Sequence, residues 1–333
     1  MIDPPGTGAV GTGVAGGRAA ADPLLPAPTP REGAGLELTY ESGVEIQARS
    51  QWTDTRRRFM RHRLAVVSLF VLLLIFLAGA FAHYVAPYSF DQIDLNNSSA
   101  APTFTGWHVF GTDLIGRDYL SRVIYGIRTS EQVALLVALM STLVGVTIGA
   151  IAGYFAGWVD NVLMRFTDLM LTLPPIAVLL TAAAIVKTRS PIIIAFILAA
   201  LFWTGFARIV RGTFLSLREK EYIEAAKAAG ASDTRIIVRH LLPNAIGPII
   251  VAATLTVGIA ILTEAVLGFL GFGVQPPTPT LGKLIADGQD AGTNLWWLVT
   301  MPGLTILLIV LCVNFVGDGL RDAFDPTQRR VRA

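Results

Sequence analysis

Apolar residues fall in six long runs along the chain. They lie at Leu64–Ala82, Gln132 to about Gly157, Asp168–Val186, Ile192 to about Ala207, Ala245 to about Phe272, and Leu295 to about Val316. A bilayer core about 30 Å thick takes roughly 20 apolar residues in a helix, so each run is read as a membrane span. The prediction is an all-α polytopic membrane protein. The first run starts too late and is too long for a cleaved signal peptide, so it is read as a retained helix. Pro174-Pro175 removes two backbone donors inside the third run and predicts a kink, serving either packing or a hinge in a pathway wall.

Between the runs the pattern changes. Residues 83–131 form a long loop whose second half shows a helical stripe, Leu120, Val123, Ile124 and Ile127. Asp113 with Arg117, and Asp118 with Arg122, are acid-first pairs at helical spacing, and Thr112 is the expected N-cap. This helix is expected to lie on the outer membrane surface, or to form a collar that contacts a delivery protein or a partner subunit. Residues 212–243 predict a helical elbow. Glu221 to Ala229 is Ala-rich, Gly230 stops the first helix, Ser232 caps a second, and that helix ends before Pro243. So much patterned helix exceeds what joining two spans requires.

Charge sets the orientation. With the N-terminus cytoplasmic, inside segments carry 20 of the 26 Lys and Arg residues and outside loops carry 6. Residues 51–63 are a basic juxtamembrane segment and 318–333 a C-terminal tail on the same side. Residues 1–50 hold nine Gly and six Pro and are expected to be a disordered cytoplasmic tail.

The composition, 53% hydrophobic and 15% charged, excludes a disordered or fibrous protein and most soluble enzymes. A net charge of +2 argues against a nucleic-acid binder. Cys312 is the single cysteine and the four histidines are scattered, so no metal cage is expected. An intramembrane enzyme needs ionisable groups facing each other at membrane depth, and only Glu264 lies clearly within a run. Glu264 is read either as a structural hydrogen-bonding group or as an acidic group at the outer mouth. There is no phosphate-binding Gly-x-x-x-x-Gly-Lys-Ser/Thr loop, so the chain is not expected to hydrolyse ATP itself.

The elbow resembles the EAA loop of ABC importer permeases at Glu224, Ala225, Ala226, Gly230, Leu242 and Pro243, with His240 where that loop has Ile. The resemblance spans about residues 50–327. Gly111, Asp113, Gly116, Arg117, Asp118 and Arg122 look like the outer-loop motif of the C-type permease subunit of the dipeptide/oligopeptide (peptide/nickel/opine) importers. Thr263-Glu264 and the segment from Phe269 to Pro279 resemble its fifth-span exit, and Gly317-Asp318 with Leu320-Arg321-Asp322 its C-terminal signature. The chain departs from the pattern at Glu131, Gly268 and Thr280-Leu281.

The resemblance implies a type I importer permease fold with its core at residues 132–317, located in the bacterial cytoplasmic membrane. It implies a homologous second permease subunit, two ATP-binding subunits that hold ATP and Mg, and an extracytoplasmic substrate-binding protein. No cofactor is then bound by this chain. The implied substrates are peptides, the alternatives being nickel or other metal chelates, glutathione or opine-like solutes. It also implies ATPase coupling through Glu224 and Gly230, while the chemistry of Pro174, Pro175 and Glu264 within the apolar runs makes them candidates for the pathway or gate.

Overall fold

A computed structural model describes residues 51–103, 108–186 and 188–325. The expected tail 1–50 lies outside these residues, as does the C-terminal tail beyond Asp325. The described residues are helical apart from loops and one isolated bridge between Thr112 and Asp118.

The chain starts with α1 (Gln51–Phe59), turns, and continues as α2 (Arg63–Ala80), whose first turn is capped by His62 Nδ1 accepting from Ala65 N at 3.1 Å. The basic juxtamembrane segment is thus a short helix and a corner. The one-turn α3 (Ala82–Val85) follows. Next comes α4 (Tyr119–Phe155), a single 37-residue helix. The stripe expected to lie on the membrane surface is its first part, and that part packs into protein. Val123, Ile124 and Ile127 are buried, as is the neighbouring Tyr119, and Leu120 is half-buried. Tyr119, Val123 and Ile127 join residues of α10, α11 and α12 in the main core.

The cap of α4 is Asp118, accepting from Ser121 N at 2.7 Å, and not Thr112. The Thr112 hydroxyl instead bonds Asn97 O and Ala100 N within the outer loop.

The third apolar run is broken, not merely kinked. α5 (Gly157–Thr172) and α6 (Pro175–Ile185) meet at 84°. Pro174 and Pro175 sit at the break, where the first turn of α6 needs no donor from its N1 residue. Five helices among the described residues are long and apolar enough to cross a membrane, and six spans result when the bent pair counts as one.

α7 (Pro191–Arg218) is opened by Ser190 and Pro191 and runs eleven residues past the expected end at Ala207. Then come α8 (Glu221–Ala228), α9 (Asp233–Arg235), a π-helical turn at Ile236–Leu241 and α10 (Leu242–Phe269). The short α11 (Leu281–Asp290) precedes the last helix, α12 (Trp297–Phe324), which passes the expected boundary at Gly317.

α4 and α7 form the central pair. Gly145, Gly149 and Gly153, spaced by four residues on one face of α4, bring the two backbones into contact. A Cβ at Gly145 would lie 2.5 Å from Trp203 O, one at Gly149 2.5 Å from Ala207 O, and one at Gly153 2.8 Å from Arg211 O. In lipid, where apolar burial drives little association between helices, such close approach provides the packing contact. Two ion pairs fasten α5 to α7 beside this seam. Arg211 forks onto Asp160, with Nη2 to Oδ2 at 2.6 Å, and Arg208 meets Asp168 at 2.6 Å.

Candidate functional site

The elbow is built on a second, smaller core. Ile223 from α8, Ile236 and Leu241 from the π turn, and Ala245 and Ile249 from α10 pack with Ala150 and Tyr154 of α4 and Val210 and Phe214 of α7. Three spans therefore end on one apolar cluster, and the elbow is seated on all three. Polar contacts add to the seat. Tyr154 Oη donates to Asp233 Oδ1 at 2.6 Å, Arg218 Nη1 donates to Tyr154 O at 3.2 Å, and Lys227 Nζ lies 5.9 Å from the Tyr154 ring centre.

Gly230 makes the turn with φ +77, and a Cβ there would meet nothing within 4 Å. Glycine is thus required by backbone conformation and not by crowding. Gly230 N bonds to Lys227 O at 2.9 Å and Ala231 N to Ala226 O at 3.1 Å, closing the helix end. Ser232 occupies the cap position of α9, but its side chain makes no cap bond.

The expected end before Pro243 does not occur. Leu242 N bonds to Ile237 O, five residues back, and this π turn brings Pro243 into the first turn of α10. The Asn244 side-chain amide donates to His240 O at 2.6 Å.

The six residues of the elbow motif therefore divide by environment. Glu224, Ala225, Gly230 and Pro243 are exposed, while Ala226 and Leu242 pack partly against the second core. With Glu221, Tyr222 and Lys227 also exposed, α8 offers an outward face of small residues edged by charge.

The outer-loop motif forms a knot at the other end of the fold. Asp113 Oδ1 accepts from Ile115 N at 3.1 Å and Arg117 N at 2.9 Å, while Oδ2 accepts from Arg117 Nε and Arg122 Nη1, both at 2.7 Å. The pairing of Asp113 with Arg117 is present, although it spans a turn and not a helix. Arg122 turns away from Asp118 toward Asp113 and, at 3.8 Å, Asp287 of α11. Asp118 instead meets His108 at 2.9 Å. Gly111 and Gly116 form turns with positive φ.

Trp297 Nε1 donates to Thr112 O at 3.1 Å, and Tyr119 Oη donates to Leu298 O at 2.5 Å. The knot thereby joins the loop to α4, α11 and α12. Nearby, the side-chain amide of Asn97 holds Asp94 below the usual carboxylate range.

Glu264 is fully buried, so it does not open onto an outer mouth in this conformation. Its Oε2 accepts from Ser130 Oγ at 2.7 Å. Ser130 Oγ in turn accepts from Leu281 N at 3.5 Å. The group ties α10 to α4 and to the start of α11. Replacing Glu264 with Leu leaves the buried Ser130 hydroxyl without its acceptor, and the expected loss of stability is about 1–3 kcal/mol. Glu264→Gln preserves most of the bonding and is expected to lose less. Thermal melting of the purified subunit checks the order.

Pro174 and Pro175 lie elsewhere. Pro175 lines an apolar cavity of about 410 Å³ with Met170 and Leu171 of α5, Leu201, Phe202 and Thr204 of α7 and Thr256 and Ile259 of α10. Glu264 is not part of that lining.

Sequence reasoning missed Ser130, the Asp160–Arg211 pair and the glycine seam. Only the seam had a readable signal, its four-residue spacing within an apolar run.

The family model described as the binding-protein-dependent transport system inner membrane component matches residues 145–330. That described as the N-terminal TM domain of oligopeptide transport permease C matches residues 50–102. The chain belongs to the C-type permease subunits of ABC importers.

As such a permease it is a non-catalytic, multi-pass component of the inner membrane. The oligopeptide transport system permease protein OppC of Escherichia coli K12 is 42% identical over 290 residues, covering 87% of this chain and 96% of that one. OppC of Mycobacterium tuberculosis H37Rv is 42% identical over 284 residues, 85% and 97% of the two chains. The dipeptide transport system permease protein DppC of Alkalihalophilus pseudofirmus is 40% identical over 287 residues, 86% and 93%. Among solved structures, the MetNI methionine ABC transporter in inward-facing conformations aligns with a TM-score of 0.52 at 19% identity, covering 62% of the permease and 97% of that chain. This last likeness concerns the fold.

Proposed function

We propose that this permease forms half of the translocation pathway of an ATP-driven importer of dipeptides or oligopeptides, and that its elbow receives the motion of the ATPase subunits. The observation that carries the coupling is the seat of the elbow on the inner ends of α4, α7 and α10. A push on α8 moves three spans together, because Ile223, Ile236 and Leu241 are buried between them and packed cores shift as bodies, not as continuously deformable solids. ATP and Mg belong to two partner ATPase subunits, a second permease supplies the other half of the pathway, and an extracytoplasmic binding protein delivers the substrate.

The bias of basic residues supports an orientation with both termini and the elbow in the cytoplasm and the knot around Asp113 outside. The wall around Pro175 faces the pathway, and the break between α5 and α6 leaves a hinge there. Peptides are favoured as substrates because the relatives at 40–42% identity carry dipeptide and oligopeptide names.

The test is reconstitution with the second permease, the ATPases and the binding protein. Labelled peptides should be taken up in an ATP-dependent manner and should stimulate ATP turnover, whereas the isolated subunit should neither transport nor hydrolyse ATP. Uptake of a nickel chelate, glutathione or an opine in place of peptides would overturn the substrate. ATP turnover by the subunit alone would overturn the division of labour.

A further inference from the structure

The corner between α1 and α2 has two faces. One is fastened to the end of α12. Arg58 Nη1 donates to Asp325 O at 2.9 Å, and His62 Nε2 lies 4.0 Å from Asp322 Oδ2. Phe59 and Ala65 close on Gly319, where an added Cβ would stand 2.3 Å from Ala65 Cβ and 3.3 Å from the Phe59 ring.

Among the described residues, the other face has no acidic partner. Arg56, Arg57, Arg61 and Arg63 are exposed, and the ion pairs of the described residues involve none of the four. Between them Met60 is 58% and Leu64 60% exposed. The same outward face continues along α2 as Val67, Phe70 and Leu74, all exposed and apolar. Four guanidinium groups without an ion pair among the described residues therefore sit where a lipid-facing stripe ends, with two apolar side chains interleaved. Long cationic side chains at such a place extend toward phosphate while their stems and apolar neighbours stay in the acyl region.

We propose that Arg56, Arg57, Arg61 and Arg63 form a binding surface for the headgroups of anionic phospholipids, which pins the α1–α2 corner and, through Arg58 and Phe59, the end of α12 to one leaflet. The occupant follows from charge complementarity and from continuity with the apolar stripe of α2. A soluble phosphate would satisfy the arginines but not Met60 and Leu64. The inference is independent of which substrate is carried and reads out on lipid composition, so its failure leaves the transport reading standing.

The assembled importer is purified from an equimolar mixture of phosphatidylglycerol and phosphatidylcholine, and the retained lipids are counted by native mass spectrometry. The wild type should retain phosphatidylglycerol preferentially. Each basic residue at an anionic surface multiplies binding about fivefold before screening, so the fourfold Arg→Gln variant should lose roughly tenfold or more of the preference. The fourfold Arg→Lys variant should keep most of it, and removing two exposed elbow charges, Arg235→Gln with Arg239→Gln, should leave it intact. Equal preference in the wild type and the Gln variant overturns the proposal. Should the Gln variant fail to assemble, the wild type decides at rising ionic strength, where an unchanged preference overturns the proposal. Displacement of the lipid by millimolar glycerol phosphate also overturns it, in favour of a free-phosphate site.

Discussion

Gly230→Val is expected to lower ATP-driven uptake by roughly tenfold or more while the subunit still inserts and assembles its spans. Gly230 holds φ +77, a conformation that costs a β-branched residue about 1–3 kcal/mol. An added side chain meets nothing within 4 Å, so no clash obscures the cause, and strain in the turn is the whole effect. The strain re-aims α8 relative to α9, and the seated elbow passes the error to three spans. Asparagine tolerates left-handed backbone better than valine, so Gly230→Asn should retain much of the uptake. Glu224→Ala, which alters the exposed face and not the turn, should reduce coupling less than Gly230→Val. Uptake and substrate-stimulated ATP turnover are measured on the same proteoliposomes. Wild-type rates in Gly230→Val would remove the turn from the mechanism.

Gly149→Leu is expected to abolish folding of the permease core. A Cβ at this position would stand 2.5 Å from Ala207 O and 2.9 Å from Val210 Cβ. The first of these is backbone and cannot rotate away. Even Gly149→Ala should cost about 1–3 kcal/mol through overpacking, and leucine forces α4 and α7 apart along their whole seam. The control is Gly212→Ala on α7, where an added Cβ meets nothing within 4 Å. There the gain in helix propensity, about 1 kcal/mol, should leave stability equal or slightly higher. Yield of monodisperse subunit in mild detergent and its melting temperature distinguish the three variants.

What was legible in the sequence follows from which forces act locally. The spans were legible because lipid demands continuous apolarity, and the turn at Gly230 because only backbone conformation selects glycine there. Helix ends were not. α4 begins thirteen residues before the second run, at Tyr119, and α7 passes Ala207 by eleven residues. An apolar run marks the lipid thickness, whereas the helix continues wherever protein satisfies its faces.

Pro243 misled for a local reason. A π turn shifts the hydrogen-bond register just before it, so the missing donor does not end the helix. Thr112 and Asp118 were equally suitable caps by residue type, and the loop contact to Asn97 O, distant in the helix pattern, decided between them. α11 escaped notice because ten residues carrying Lys283, Asp287 and Asp290 read as loop. Its role appears only through tertiary contacts with Ser130, Tyr119 and Arg122. At the candidate site, the elbow residues were legible as a group. Their division into an exposed face and a packed seat was not, because Ile223, Ile236 and Leu241 acquire their meaning from Tyr154 and Phe214, which lie on other helices.

The central claim is that α8 meets the ATPase. It is tested by placing a photoreactive benzophenone amino acid at Ala225, on the exposed face of the elbow, and at Tyr84, which is 83% exposed on α3. After irradiation of the assembled importer, the Ala225 probe should form a covalent adduct with an ATPase subunit, and the Tyr84 probe should not. An ATPase adduct from Tyr84 and none from Ala225 would contradict both the docking of the elbow and the orientation of the chain in the membrane.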